Sequence, residues 1–385
     1  MNDAAVECLQ SYDDFQSIRD DWNEFMTHNF PENYARTHAW LSAFWMTHHA
    51  GQSALIYVQR DADNRKIVAA APLVIKKENF GGFKVRMLQA LGRGVGCDDF
   101  LLGSAARQTV QAIFSDLKSR QAWDVSLFRR LSHARFQAEL RATSRAMNCC
   151  TDSITSTEHF VVLPTTYKEY LGSRSSKFRN NLKNAIKRLE MAGVVSVEIL
   201  PLFTHADRAL TLCEEIAKKS WQFKTGKSHF NANSSTCFYN NLAKAGCEAG
   251  GEEFVVLLID DKPVAYLLGC KRGRAYHLID TAYDEEFSAI SVGRVLFCKT
   301  IERLIESGEV NRFNLEGDGE YKDYFANKTE TAQQVTMYGS SLYGRCISFI
   351  RRTGLYHLVK NRLKRRSDGG KPAGPINVEM REVIS

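Results

Sequence analysis

The stretch Tyr283-Asp-Glu-Glu-Phe-Ser-Ala-Ile-Ser-Val-Gly-Arg294 decides how this chain is read. Ahead of it, Arg274-Ala-Tyr-His-Leu-Ile-Asp280 reads as a strand. Beyond it, apolar residues at helical spacing run over 291–307 and stop at Gly308. A strand therefore ends, a short loop turns, and a helix begins near Val292-Gly293. The first backbone N–H groups of a helix have no intrahelical acceptor, and the helix dipole adds positive potential, so such a turn can hold an anion. Ser291 is placed to cap the helix, and Gly293 would let a phosphate approach the backbone closely. An ordinary strand-to-helix connection with a serine cap has the same pattern, so the segment alone leaves both readings open.

The neighbouring sequence adds to the picture. Upstream, Phe254-Val-Val-Leu-Leu-Ile259 and Pro263-Val-Ala-Tyr-Leu-Leu-Gly-Cys270 flank Asp260-Asp-Lys262, a hairpin signal. Downstream, the strand Asn311–Glu316 runs into Glu316-Gly-Asp318-Gly and a short helix bearing Tyr321 and Lys322. Glycines beside acids set carboxylates at a strand end, where α/β active sites commonly lie. Glu316 or Asp318 could then accept a proton, and Tyr321 could bond a substrate or leaving group. A solvated glycine-rich turn with a helix-capping Asp reads equally well.

Further upstream, a basic helix covers 175–191. Phe178, Leu182, Ile186 and Leu189 form its apolar stripe, while Arg179, Lys183 and Lys187 form a cationic row suited to phosphate or nucleic acid. A solvated basic face is the plainer account of such a row. A strand at 194–199 and a helix over about 204–221 follow, the helix ending in Ser220-Trp-Gln-Phe-Lys224. Trp221 reads as a buried side chain closing that helix. The first half is built in the same way, with helices at 13–27 and 38–48, strands at 54–58, 67–75 and 83–88, a helix at 105–120 and a strand at 123–128. Both halves place hairpin strands before a helix and a last strand, as an internal duplication would. The polar stretch 151–158 reads as the approach to a domain boundary near 160–166.

Composition bounds the function. The 385 residues are 44% hydrophobic and 25% charged, with a net charge of +7, the balance of a folded globular protein. Residues 345–366 hold eight Lys and Arg and no acid, so the rest of the chain has a net charge of −1. That distribution excludes a protein basic throughout, such as a chromatin binder. No apolar run reaches the ~18–20 residues of a membrane span, and the acidic N-terminus has no signal-like core, so a cytoplasmic location is expected. The ten cysteines show no metal-binding spacing, and Cys270 and Cys298 read as core thiols in a reducing compartment. The ten histidines form neither a triad-like nor a metal-like pattern, so no metal is expected.

Taken in order, Lys177-Phe-Arg179, Ser220-Trp221 with Lys224 and Gly226, Tyr283-Asp284…Ser291-x-Gly293, and Glu316-Gly-Asp318…Tyr321-Lys322 resemble the cellulose-biosynthesis acetyltransferase group (CelD/BcsL-like). That group lies within the GNAT acyltransferase superfamily and is similar to the FemABX peptidyltransferases. The resemblance covers about 165–330, and Ala71-Pro-Leu-Val74 and Gly92-x-Gly94…Asp98-Asp-Phe100 extend it into the first half. Of the usual pyrophosphate loop, Arg/Gln-x-x-Gly-x-Gly/Ala, only Gly293 agrees; Ser288 and Ser291 stand at the other two positions.

The resemblance implies an α/β (α+β) fold of two tandem GNAT-like domains, each a mixed, mostly antiparallel sheet flanked by helices. The expected divisions are an N-terminal GNAT-like domain over 1–164, an acyltransferase domain over 165–340, a basic amphipathic helix over 341–366 and a flexible tail over 367–385. It implies acetyl-CoA or another acyl-CoA as co-substrate, held at Ser291, Val292, Gly293 and Arg294. The acceptor would be an amine or hydroxyl of a small molecule, glycan or cell-envelope precursor. Lys177, Arg179, Trp221, Lys224 and Lys322 would meet substrate, and Asp318, Glu316 and Tyr321 would carry the chemistry, with Asp318 the favoured base. Two alternatives stand beside it: aminoacyl-tRNA-dependent peptide transfer, with the 174–188 helix meeting tRNA, and a non-catalytic glycan- or membrane-binding protein. The basic tail is suited to an anionic membrane surface or to docking on the domain.

Overall fold

Asp260 and Asp261 both have positive φ, +47° and +61°, and join strands that pair directly from Ile259 to Lys262. Two left-handed residues make the tight turn whose twist matches the flanking strands, and Asp tolerates that conformation better than most side chains. The hairpin expected at 260–262 is thus one corner of the sheet.

The computed structural model describes residues 6–353 except 49–53, 64, 93–95, 104–105, 121, 227, 229, 231–232, 246–250 and 318. The first half runs β1 (Val6–Leu9), α1 (Tyr12–Ser17), α2 (Arg19–Asn29), α3 (His38–His48), β2 (Leu55–Arg60), β3 (Ile67–Phe80), β4 (Phe83–Ala90), β5 (Leu101–Leu102), α4 (Ala106–Ser119), β6 (Val125–Leu131), α5 (Ala134–Ala146) and β7 (Cys150–Val162). The second runs α6 (Tyr167–Gly172), α7 (Ser176–Ala192), β8 (Val195–Pro201), α8 (Leu202–Lys218), α9 (Trp221–Lys224), α10 (Asn233–Lys244), β9 (Glu252–Ile259), β10 (Lys262–Arg272), β11 (Ala275–Tyr283), α11 (Val292–Ser307), β12 (Arg312–Asn314), α12 (Glu320–Asp323), β13 (Lys328–Tyr338) and α13 (Leu342–Arg352).

Among the described residues these strands form one sheet, ordered β1-β2-β3-β4-β6-β13-β7-β12-β11-β10-β9-β8, with β5 against β3. The order is a duplication. Antiparallel β1–β4 correspond to β8–β11. Each set ends in a parallel pair, β4 with β6 and β11 with β12. The final strand of each half crosses over: β13 pairs with β6 of the first half, and β7 pairs with β12 of the second. In the middle, β7 and β13 pair antiparallel over Cys150–Phe160 and Lys328–Tyr338. The molecule therefore has two tandem GNAT-like halves, each a mixed sheet flanked by helices, joined by exchanged strands.

The stretch 151–158, expected as a polar approach to a boundary, is the middle of β7. It is polar because this central ladder is largely solvated, as Ser153, Ile154 and Thr155 show, so backbone pairing holds it rather than an apolar face. Helices cover the sheet elsewhere. In the second half, α7 and α11 pack on one face around Leu182, Leu257, Val292 and Phe313. On the other face, α8 and α10 pack around Leu210, Phe238 and Tyr266 together with α3 of the first half. Trp40 of α3 donates its indole N–H to Glu252 Oε1 at 2.7 Å, which ties the halves on that side. Cys270 and Cys298 are buried, as their setting predicts.

Candidate active site

β11 and β12 pair only from Ala275–Arg312 to His277–Asn314. Past that point they separate: Leu315 donates its N–H to His159 O on β7, while β11 continues along β10 to Tyr283. The β10 register skips at the same place, Gly269 facing Leu278 and Leu268 facing Asp280, so Ile279 is a bulge. The bulge and the loss of a partner leave the far edge of β11 facing a cleft. α11 begins at one end of the cleft and α12 lies across from it.

The first turn of α11 differs from its expected form. Ser291 is left-handed, at φ +65°, and its side chain makes no cap bond; a side-chain cap needs extended backbone there, so the expected serine cap is absent. Arg294 and Val295 donate their N–H groups to Ser291 O, while Val292 and Gly293 show no backbone acceptor among the described residues. The Val292 side chain is buried in the core, so only its backbone can meet a ligand. A Cβ on Gly293 would lie 3.3 Å from the Tyr283 ring, so this glycine lets β11 and α11 approach closely. The Arg294 guanidinium sits 4.6 Å from the Tyr324 ring centre. Phe178 of α7 packs on that same ring at 4.6 Å, which brings the start of α7, with Lys177 and Arg179, to this side of the cleft. Arg179 also bonds Leu171 O and Arg174 O.

On the far side, Ser220 caps α9 by accepting the Phe223 N–H. Gln222 Nε2 donates to Thr281 O at 3.2 Å, which places α9 against the end of β11. Trp221 is 42% exposed rather than buried. A single helical turn held by its cap and Gln222 offers no apolar pocket deep enough for the indole. Lys224 pairs with Glu285 in the turn before α11.

The carboxylates behave unlike a simple base pair. Asp318 lies outside the described residues. Glu316 is partly buried, with a left-handed backbone at φ +54°, and pairs with Arg130 from β6; Arg130 is itself left-handed at φ +54°. Arg130 also holds Glu158 of β7 through two bonds, at 2.8 and 2.6 Å, and Glu158 accepts the Gly317 N–H at 2.8 Å. His277 Nδ1 lies 2.9 Å from Glu316 Oε1. Burial alone would raise the Glu316 pKa, but Arg130 and then His277 overcome it and bring it down to about 2. The expectation that Glu316 handles the proton is therefore corrected: a carboxyl so acidic is a poor base, and this one clasps the two halves together. Lys322, expected to meet substrate, instead donates its ammonium to Glu316 O and Gly317 O. It is buried and pins the loop from within.

Tyr321 remains at the cleft. Its ring meets Phe297 edge-on at 6.2 Å, and it is half exposed. Desolvation by the surrounding protein, and then the Asp280 carboxylate, push its pKa up to about 12, so it keeps its proton through the physiological range. Asp280 itself is missed by the sequence reading. It sits on β11 directly after the bulge and accepts the Tyr266 hydroxyl at 2.6 Å. The available signal was one acid ending an otherwise apolar strand. No group of His, Cys, Asp and Glu among the described residues forms a metal-binding cluster.

Comparison with known proteins places this geometry. Residues 176–324 match the sequence family described as the acetyltransferase (GNAT) domain, a span that begins at α7 and ends just after α12. Among solved structures, FemX is similar over 86% of this chain and 98% of its own, with a TM-score of 0.57 and 10% identity. The L-PGS structure from Bacillus licheniformis is similar over 89% and 96%, with a TM-score of 0.54 and 13% identity. The C-terminal domain of a putative lysylphosphatidylglycerol synthetase from Agrobacterium fabrum follows at 89% and 97%, 0.52 and 10%. The comparison with curated proteins finds no match. At such identities the structural likeness speaks for the fold. With the matched segment, it defines a GNAT-type fold, in which residues 176–324 are similar to the acetyltransferase (GNAT) domain.

Proposed function

We propose that the chain transfers an acyl group from an acyl-CoA to an amine or hydroxyl acceptor, with a glycan or cell-envelope precursor as the acceptor class. The observation that carries this is the cleft where β11 and β12 separate, beside the bulge at Ile279 and the start of α11. The donor's pyrophosphate meets the Val292 and Gly293 N–H groups and the Arg294 side chain. The thioester lies along the unpaired edge of β11, where a backbone N–H polarises its carbonyl. The acceptor enters from the side of Trp221 and Lys224. Its nucleophile bonds to the carbonyl carbon, the C–S bond breaks, Asp280 takes the acceptor's proton, and Tyr321 gives its proton to the departing sulfur. Asp280 then returns a proton to Tyr321, which closes the cycle. Tyr266 holds the Asp280 carboxylate in place for both steps.

A second reading has its own observation. Lys177, Arg179, Lys183, Lys187 and Arg188 are exposed on α7, whose start lies beside the donor side of the cleft. That face suits a polyanionic donor such as an aminoacyl-tRNA. Calorimetric titration with acetyl-CoA, a longer acyl-CoA and a charged tRNA separates the two. The first reading expects saturable binding of a CoA thioester; binding of charged tRNA alone, falling steeply with salt, would replace it with the second.

A further inference from the structure

α12 spans only Glu320–Asp323, and no side chain caps it at Gly319. Its backbone closes through the Lys322 N–H on Gly319 O and the Phe325 and Ala326 N–H groups on Lys322 O. Helices below about 12–15 residues are marginal in water, so a single turn keeps its place only by what surrounding groups lend it. Yet α12 carries Tyr321, whose hydroxyl must stand at one point of the cleft if it is to reach the departing sulfur.

Two side chains from elsewhere in the fold hold this turn. The first is Arg174, between α6 and α7. Its Nη1 donates to Ala326 O at 2.5 Å and to Phe325 O at 3.3 Å, beside the Tyr170 hydroxyl, which donates to Phe325 O at 3.1 Å. These carbonyls lie just past α12, where no further helical turn supplies donors. Phe325 stacks on Phe297 at 4.5 Å, and Phe297 is the ring that Tyr321 meets edge-on, so a shift of this backbone moves the surface against which Tyr321 rests.

The second is His159 of β7, the strand that the first half lends to the second. Its Nε2 lies 2.6 Å from Asp323 Oδ1, at the end of α12. The imidazole is 6% exposed, its Nδ1 is buried without a partner, and Asp323 is the one group that the ring bonds among the described residues. The bare Nδ1 assigns the proton to Nε2, which donates it to the carboxylate. An ion pair on the surface contributes little. A buried donor on a charged acceptor is different, because its loss leaves the donor stranded.

We infer that His159 and Arg174 are positioning residues for Tyr321, fixing α12 from β7 and from the α6–α7 turn. The first half thereby takes part in the chemistry of the second. What Tyr321 does rests on the transferase reading; what holds it does not.

The test compares full-length wild type with His159→Phe, His159→Gln, Arg174→Met and Arg174→Lys, by hydrogen–deuterium exchange and by initial rates. Phe and Met keep the bulk but remove the donor, whereas Gln keeps an N–H near the place of Nε2 and Lys keeps a cation. In the Phe and Met variants the amides of 322–326 should exchange about tenfold or more faster than in wild type, with those of β9 and β10 unchanged. In the same two variants kcat should fall about tenfold or more at unchanged acetyl-CoA affinity, and Gln and Lys should restore part of both losses. Combined with Tyr321→Phe, His159→Phe should cost no further turnover, since the hydroxyl it places is gone. Unchanged exchange at 322–326, faster exchange with wild-type kcat, or full additivity with Tyr321→Phe would overturn the inference. If wild type transfers no acyl group from any CoA thioester, the transferase reading falls instead, and the exchange rates alone decide whether these two residues hold α12.

Discussion

Glu316→Gln separates a clasp from a catalyst. The substitution keeps the shape but removes the charge that Arg130 and His277 face. In the folded protein this carboxyl is held at about 2 against an ordinary 4.5. That difference corresponds to about 3 kcal/mol of preference for the charged form. The figure agrees with the ~3–5 kcal/mol lost when one partner of a buried ion pair is removed; Arg130 keeps Glu158, which favours the lower end. Because the folded pKa is depressed, the stabilisation is fully present above about pH 4.5 and is lost as the pH falls towards 2. Urea unfolding of both proteins should therefore differ by about 3 kcal/mol at pH 7, and the gap should close across that acid window. Turnover per folded molecule should stay near wild type. An unchanged unfolding midpoint, a gap that ignores pH, or a large loss of turnover in the folded variant would show that Glu316 is no clasp.

Asp280→Asn should lower kcat by about 10²–10⁴-fold with donor affinity preserved, read from initial rates beside donor titrations. An effect confined to KM would reduce Asp280 to a binding group. Tyr321→Phe should slow turnover by about 10²-fold. Since the wild-type phenol titrates only at about 12, no alkaline fall in activity below that pH should trace to it, which rate–pH profiles of the two proteins would show.

Much of the second half is legible in the sequence because its physics is local. The Asp260-Asp261 turn, the apolar stripe of α7 and the stop at Gly308 each follow from a few adjacent residues. The exchanged strands are not legible in this way. β7 and β13 are held by backbone pairing with segments far away in sequence, and a solvated, threonine-rich strand shows little of the alternation that marks a half-buried one. α5 escapes the sequence reading for a similar reason, its identity resting on contact with the first-half core. Within the site, the turn at 291–294 and Tyr321 are readable as a strand–helix junction and a polar side chain beside it. The clasp is not, because Arg130 and Glu316 lie far apart in the chain and meet only when β13 and β7 knit the sheet. The same closure turns the Lys322 ammonium inward to two carbonyls. Asp280 gains meaning only once a bulge and a missing neighbour strand open the edge of β11.

Everything proposed for the cleft requires an acyl donor where β11 leaves β12, with its phosphates on the first turn of α11. Calorimetric titration of acetyl-CoA into wild type, Gly293→Ala and Gly293→Asp measures this directly. Both variants press a Cβ on the Tyr283 ring, 3.3 Å away, but only the second adds a negative charge at the helix start. Wild type should bind saturably and one-to-one, Gly293→Ala should lose modestly, and Gly293→Asp should lose nearly all binding, with thermal unfolding showing both variants folded. Equal binding by Gly293→Asp and wild type, or no binding of any CoA thioester by wild type, would be incompatible with a donor at this turn.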